Sequence, residues 1–210
     1  MTPATERSDL VLDVRNLSVE VPDSNGTVRL VEDVSFSVRR GEVFGLVGES
    51  GSGKSLTMLA VMGLLPSPVR LAGGSIVLHG QQIAGASFEA MRPLRGKTVS
   101  MIFQDPMTSL NPVRRVGAQI DEAVRLHNPG WSRTRVRDRS MALMELVGIP
   151  NPGWRYRQFP GEFSGGMRQR VMIAIALAAD PHLLLADEPT TALDVTIQDQ
   201  ILKLILGLDR

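Results

Sequence analysis

Residues 48–55 read Gly48-Glu49-Ser50-Gly51-Ser52-Gly53-Lys54-Ser55 and match the pattern G-x-x-x-x-G-K-[ST]. Glycines at this spacing let the backbone curl until successive amide N–H groups point inward, and a helix that follows adds its positive N-terminal end to the same place. Such a cradle suits the phosphates of a nucleotide. The Lys54 ammonium can reach β- and γ-phosphates as a point charge, and the Ser55 hydroxyl is suited to Mg²⁺. The plainer alternative is a Gly/Ser-rich turn with no ligand. The apolar, strand-like run at 43–47 and the helix-like run at 56–65 favour the phosphate loop, because that motif needs a strand before it and a helix after it.

Two further segments carry candidate chemistry. Residues 183–188, Leu183-Leu184-Leu185-Ala186-Asp187-Glu188, form an apolar run that ends in adjacent carboxylates. A parallel strand buried on both faces has this composition. Asp187 is then placed to hold Mg²⁺, directly or through water, and Glu188 to polarise an attacking water as general base. The alternative is an acidic turn closing a core strand, and the presence of a phosphate loop upstream weighs against it. Phe163-Ser164-Gly165-Gly166-Met167-Arg168-Gln169-Arg170 is a second glycine-containing turn that opens a helix. Its amides and the Ser164 hydroxyl could bind an anionic group, although taken alone it reads rather as a serine N-cap with glycines for close packing.

The elements that must position these residues follow from hydrophobic periodicity. Residues 11–21 and 28–38 alternate with a near period of two, and Asp23-Ser24-Asn25-Gly26 between them predicts a hairpin. Strands are also expected at 43–47, 75–79, 98–103 and 182–186, with helices at 56–65, 116–126, 133–147, 165–179 and from about Val195. Pro66-Ser67-Pro68 is expected to end the first helix. The helical stretch beyond Gln104, punctuated by Pro106, Pro112 and Pro129, has the character of an insertion. The fold class is therefore α/β with an antiparallel β piece at the start.

Composition excludes more than it assigns. The chain has 210 residues and a formal charge of +1, so no global electrostatic case for nucleic acid exists. Zero cysteines exclude disulfides and thiolate metal sites within it. The apolar run at 171–179 is far short of the ~20 residues of a membrane span. The start of the sequence lacks the order of a secretory signal, so a cytoplasmic location is expected and membrane association would come through a partner. Arg133, Arg135, Arg137 and Arg139 resemble a nucleic-acid arm, but Val136, Leu143 and Val147 recur at helical spacing, which makes the arginines a solvated helix face.

Taken together in this order, the motifs resemble the nucleotide-binding subunit of ATP-binding-cassette transporters. The resemblance runs along essentially the whole chain: phosphate loop at Gly48 to Ser55, Q-loop at Gln104, signature at Ser164 to Met167, strand-end carboxylates at 183–188 and D-loop at Ala192-Leu193-Asp194. It implies a P-loop NTPase, RecA-like core with an antiparallel β subdomain, residues 1–103 and 180–210, and a helical subdomain at 104–179. It also implies ATP and Mg²⁺ as cofactors. Gly48, Glu49, Ser50, Gly51, Ser52, Gly53, Lys54, Ser55 and Leu56 would hold the nucleotide with Ser164, Gly165, Gly166 and Asp194. Ser55, Gln104 and Asp187 would hold the metal, and Glu188, Gln104 and Lys54 would act in hydrolysis. In such proteins two cassettes pack head to tail, so the Ser164-Gly165-Gly166 turn of one meets the γ-phosphate held by the other, and opening and closing is passed to membrane permease subunits.

The block Phe103-Gln104-Asp105-Pro106-Met107-Thr108-Ser109-Leu110-Asn111-Pro112 is similar to that of the oligopeptide, dipeptide and nickel importer branch. That implies a peptide or related small solute as cargo, delivered by an extracytoplasmic binding protein. A second cassette, identical or different, is the expected partner, and the cytoplasmic face of the inner membrane the expected location. The chain departs from the family pattern at three points, of which the second is expected to matter little. Val21 stands where an aromatic residue usually stacks on adenine, a contact worth about 1–3 kcal/mol by analogy with nucleic-acid platforms. Met167 replaces the usual Gln, as also occurs in the peptide branch. The final core strands and the switch-loop histidine do not occur among residues 1–210, and His79, His127 and His182 all precede the D-loop. An incomplete or regulatory cassette that hydrolyses little, or a soluble cassette outside transport, are the alternative expectations.

Overall fold

The computed structural model describes residues 9–24, 26–104, 109–189, 195, 198–200, 203 and 207. Its contacts divide the chain into two compact units, Met1–Arg95 and Gly96–Arg210.

The first unit is built on a four-stranded antiparallel sheet in the order β2-β1-β3-β4, with β1 Leu10–Asp23, β2 Gly26–Arg39, β3 Arg70–Leu78 and β4 Gln81–Gln82. The hairpin expected between residues 23 and 26 joins β1 to β2 and pairs Asp23 with Gly26. Strict alternation along β1 would put Leu12 and Val14 on the face opposite Leu17 and Val19, yet all four are at most 1% exposed. A bulge resolves the conflict. Val14 pairs with Phe36 and Leu17 with Val34, so two β1 residues stand where β2 has one. The extra residue, Asn16, adopts φ 49°, faces Asp33 at φ 51°, and donates from Nδ2 to Asp33 Oδ1 at 2.6 Å. Opposite the bulge, a Cβ on Gly74 would lie 2.6 Å from the Asn16 carbonyl oxygen, so β3 approaches there only through glycine.

Helix α1, Lys54–Met62, buries Thr57, Ala60, Val61 and Met62. It stops before the prolines expected to end it, because Gly63 takes a left-handed C-cap conformation (φ 61°) whose N–H reaches back to Ala60. A short helix, α2 Phe88–Met91, follows with Ser87 as its N-cap. The expected strand at 43–47 does not form a ladder. These residues pair with none of the described strands, and Val43 and Val47 are 63% and 92% exposed. A strand is stabilised by its neighbour rather than by its own sequence, so β-branched composition alone does not make one.

The second unit contains a parallel pair, β5 Val99–Ile102 and β6 Leu183–Ala186, and the helices α3 Val116–His127, α4 Arg133–Leu146, α5 Pro152–Arg155 and α6 Gly165–Ala176. A 3₁₀ turn, Pro160–Glu162, leads into α6. Its core joins Val116, Ile120 and Val124 of α3 to Val136, Leu143 and Met144 of α4 and Val171 and Ile173 of α6, all at most 1% exposed. On α4 the buried residues Val136, Ser140 and Leu143 recur at helical spacing, which leaves Arg133, Arg135 and Arg137 in solvent as expected. Asp121 of α3 accepts from the Ser140 hydroxyl (2.6 Å) and the Tyr156 hydroxyl (2.5 Å), tying three segments through one carboxylate. Burial and this carboxylate push the Tyr156 phenol up to about 12.

Candidate functional site

The phosphate loop lies in the first unit between residues 43–47 and α1. Gly53 is the N-cap of α1 at φ 88°, a conformation in which an added Cβ would meet Val31 Cγ2 at 2.6 Å and the Leu30 carbonyl oxygen at 3.1 Å. Both backbone and space therefore require glycine. Thr57, 3% exposed, donates from its hydroxyl to the Gly53 carbonyl at 2.9 Å and fixes the loop to the first turn of the helix. Lys54 folds back over the loop, where its ammonium donates to the carbonyls of Gly48 and Glu49, each at 2.8 Å. A Cβ on Gly48 would lie 2.6 Å from Ser52 Oγ, which measures how tightly the loop is curled. A cationic donor held over a tight glycine turn at a helix N-terminus fits a polyphosphate. Ser50 and Gly51 are exposed at the tip, and Ser55 and Leu56 follow in the first turn of α1.

In the second unit the parallel register aligns Ile102 with Ala186. Two residues further along each strand this register reaches Gln104 and Glu188, and the Gln104 amide Nε2 donates to Glu188 Oε2 at 3.0 Å. Asp187 sits between the strand and this pair, 5% exposed, with its N–H donating to the Ile102 carbonyl at 3.0 Å. Glu188 takes a left-handed backbone (φ 44°), uncommon for a residue with a long side chain and frequent where function fixes the conformation. The carboxyl ends of parallel strands are the usual place for ligands in α/β folds. Among the described residues no group of three or more His, Cys, Asp or Glu could hold a metal. Within this unit the Gln104 amide oxygen and the Asp187 carboxylate are oxygen donors of the kind Mg²⁺ takes, and in the first unit the Ser55 hydroxyl is another.

The signature turn, also in the second unit, opens α6. Ser164 is its N-cap, and its hydroxyl accepts from the Met167 N–H at 3.3 Å. A Cβ built on Gly165 meets nothing within 4 Å among the described residues, so their packing does not demand glycine at that position. Asp194 lies outside the described residues. Val21 is half-exposed and pairs with Val28, and the aromatic pair of the first unit is elsewhere, Phe36 stacked on Phe44 with centroids 5.2 Å apart. Thr57 was not legible as a site residue beforehand, although its position four residues after Gly53 signals a hydroxyl that can reach back one helical turn.

Residues 31–191 match the family model described as ABC transporter. The chain is 52% identical over 200 residues to the dipeptide transport ATP-binding protein DppD of Escherichia coli, covering 95% of this chain and 61% of that protein. It is 50% identical over 201 residues to the oligopeptide transport ATP-binding protein OppD of Bacillus subtilis, covering 95% and 56%. The chain thus spans about 60% of the length of such curated relatives. Among solved structures, the dimeric post-hydrolysis state of the ATP-binding cassette MJ0796 bound to ADP and Pi superposes with a TM-score of 0.84 at 22% identity, over 95% of this chain and 83% of that one. CbiO1 from Clostridium perfringens, part of the ABC transporter complex cbiONQ, gives 0.78 at 26% identity, over 96% and 74%. With the family model spanning most of the sequence and the cassette fold matched along nearly all of it, the chain belongs to the ABC transporter family.

Proposed function

We propose that this chain is the ATP-binding and ATP-hydrolysing cassette of a membrane importer for peptides or related small solutes. The observation that carries the reading is the Gln104–Glu188 hydrogen bond at the carboxyl ends of β5 and β6, which holds a carboxylate in a set direction beside a second, buried one. In the proposed reaction a water attacks the γ-phosphorus of ATP, Glu188 accepts the water proton, and ADP and phosphate leave. The amides of Gly48, Glu49, Ser50, Gly51, Ser52 and Gly53, with Lys54, Ser55 and Leu56, cradle the phosphates and offset their charge. Mg²⁺, when bound through Ser55, Gln104 and Asp187, supplies further neutralisation of the phosphate oxygens. The Ser164-Gly165-Gly166 turn and Asp194 serve the nucleotide of a second cassette, identical or different.

The names of the relatives support a peptide cargo. In this reading permease subunits are the partners that cross the membrane, and an extracytoplasmic solute-binding protein lies upstream. Residues 1–103 with 180–210 form the β and RecA-like core in this reading, and residues 104–179 the helical subdomain. Among the described residues no helix is long and apolar enough to cross a membrane, and the proposed location is peripheral, on the cytoplasmic face of the inner membrane. The test is Mg²⁺-dependent phosphate release from ATP by the protein reconstituted with its permease, with and without peptide-loaded binding protein. Release that rises with peptide is expected. ATP binding without release, in wild type and Glu188→Gln alike, would overturn the catalytic part in favour of a regulatory cassette.

A further inference from the structure

The turn that precedes Ser164 is clamped from three directions, and each clamp is a specific hydrogen bond. Glu162 uses both carboxylate oxygens: Oε2 accepts from the Phe159 N–H at 2.7 Å and Oε1 from the Gln158 amide at 3.1 Å. Gln158 is only 8% exposed, and its Oε1 accepts from Arg155 Nη1 at 2.9 Å. From the other side, Arg168 in the first turn of α6 donates from Nε to the Pro160 carbonyl at 2.8 Å. The same segment also holds the start of α3, since the Val116 N–H donates to the Gln158 carbonyl at 2.8 Å and the Gly117 N–H to the Tyr156 carbonyl at 3.0 Å. The Tyr156 ring covers Gly117, where an added Cβ would lie 2.3 Å from it. Upstream, Gln119 of α3 donates to the carbonyls of Asn111 and Arg114, both at 3.0 Å, and accepts from the Asn111 N–H at 2.9 Å. Residues 111–119, 156–162 and 164–168 are therefore joined by a continuous set of hydrogen bonds.

An exposed carboxylate such as Glu162 gains little by simply existing, but one that accepts two N–H groups from a single turn fixes that turn's shape. From this geometry we infer that Glu162, seated on buried Gln158, is a positioning residue for the Ser164-Gly165-Gly166 amides, setting their direction relative to the start of α3. The inference rests on the cassette reading for the importance of those amides; its geometric content stands apart from that reading. Glu162 touches no nucleotide in this proposal. It acts through the turn.

Glu162→Ala, Glu162→Gln and Gln158→Met, the last close in volume, test the inference with four measurements. Hydrogen exchange at the Met167 and Arg168 amides is expected to quicken in Glu162→Ala and Gln158→Met. ATP-driven dimerisation is expected to weaken about tenfold, the equivalent of one charge-assisted hydrogen bond, while binding of ATP to the isolated protein is unchanged. Glu162→Gln keeps one acceptor oxygen and is expected to recover most of the dimerisation. Unchanged exchange at Met167 in both disruptive variants would overturn the clamp, whatever the nucleotide does. Faster exchange with unaltered dimerisation, or a matched fall in ATP binding, dimerisation and melting temperature, would reduce Glu162 to a fold-stabilising residue and overturn the positioning role. If wild type itself forms no ATP-driven dimer, the cassette reading is what fails, and the exchange measurement still decides the clamp.

Discussion

The Gln104 amide donates to the Glu188 carboxylate at 3.0 Å although 84 residues separate them in sequence. Parallel pairing of β5 with β6 brings the two side chains to the same strand end, so the contact follows from register rather than from local sequence. A general base works only when its lone pair faces the water it deprotonates, and a donor on the other oxygen fixes that orientation. Gln104 therefore gives the polypeptide leading into α3 a direct hold on the proposed base.

Replacing Glu188 with Gln removes the proton acceptor while leaving the shape and a hydrogen-bonding oxygen in place. Phosphate release is expected to fall by about 10²–10⁴-fold, the usual contribution of a positioned base, with ATP affinity preserved. Single-turnover phosphate release and ATP titration on the same preparation separate the two.

Gly165→Ala distinguishes a packing glycine from one kept for an approaching ligand. Among the described residues nothing beyond the helix's own backbone and the chain neighbours lies within 4 Å of the new methyl group, and Ala is favoured over Gly by up to about 1 kcal/mol, the helix-interior value. The melting temperature is expected to hold or rise, while ATP-driven dimerisation falls. A loss of stability would contradict the open space at this site.

At Gly53 the opposite holds. A methyl group there meets Val31 at 2.6 Å and the backbone sits at φ 88°, so Gly53→Ala is expected to destabilise by more than about 1 kcal/mol. Urea denaturation reads this without any nucleotide.

Tyr156 links stability to alkaline pH. Its phenol is raised to about 12 in the folded protein by burial and by its bond to Asp121, against an ordinary value of 10. The folded state thus keeps a proton that the unfolded chain has lost between those values. Stability from this group is fully present below pH 10 and is lost as pH rises through about 12. Tyr156→Phe is expected to lower stability near neutral pH by about 1–2 kcal/mol, through the lost hydrogen bond, and to flatten the alkaline slope. Melting curves from pH 9 to 12 compare the two proteins.

Sequence alone determined the parts whose chemistry is local. A phosphate loop is legible because its backbone curl depends on glycines at fixed spacing, and Gly53 adopts the positive φ that this spacing requires. The N-cap at Ser164 and the helices α3 and α4 were legible for the same reason, since capping and 3.6-residue periodicity are properties of neighbouring residues. Tertiary structure decided whatever depended on a distant partner. Residues 43–47 have strand composition but no ladder, because a ladder is made by the neighbour. The bulge at Asn16, which lets Leu12, Val14, Leu17 and Val19 all turn inward, exists only against Asp33 and Gly74. Adjacent carboxylates at the end of β6 were visible as letters. That Gln104 orients one of them was fixed by the pairing of two strands, because side chains far apart in a chain meet only where the sheet register places them.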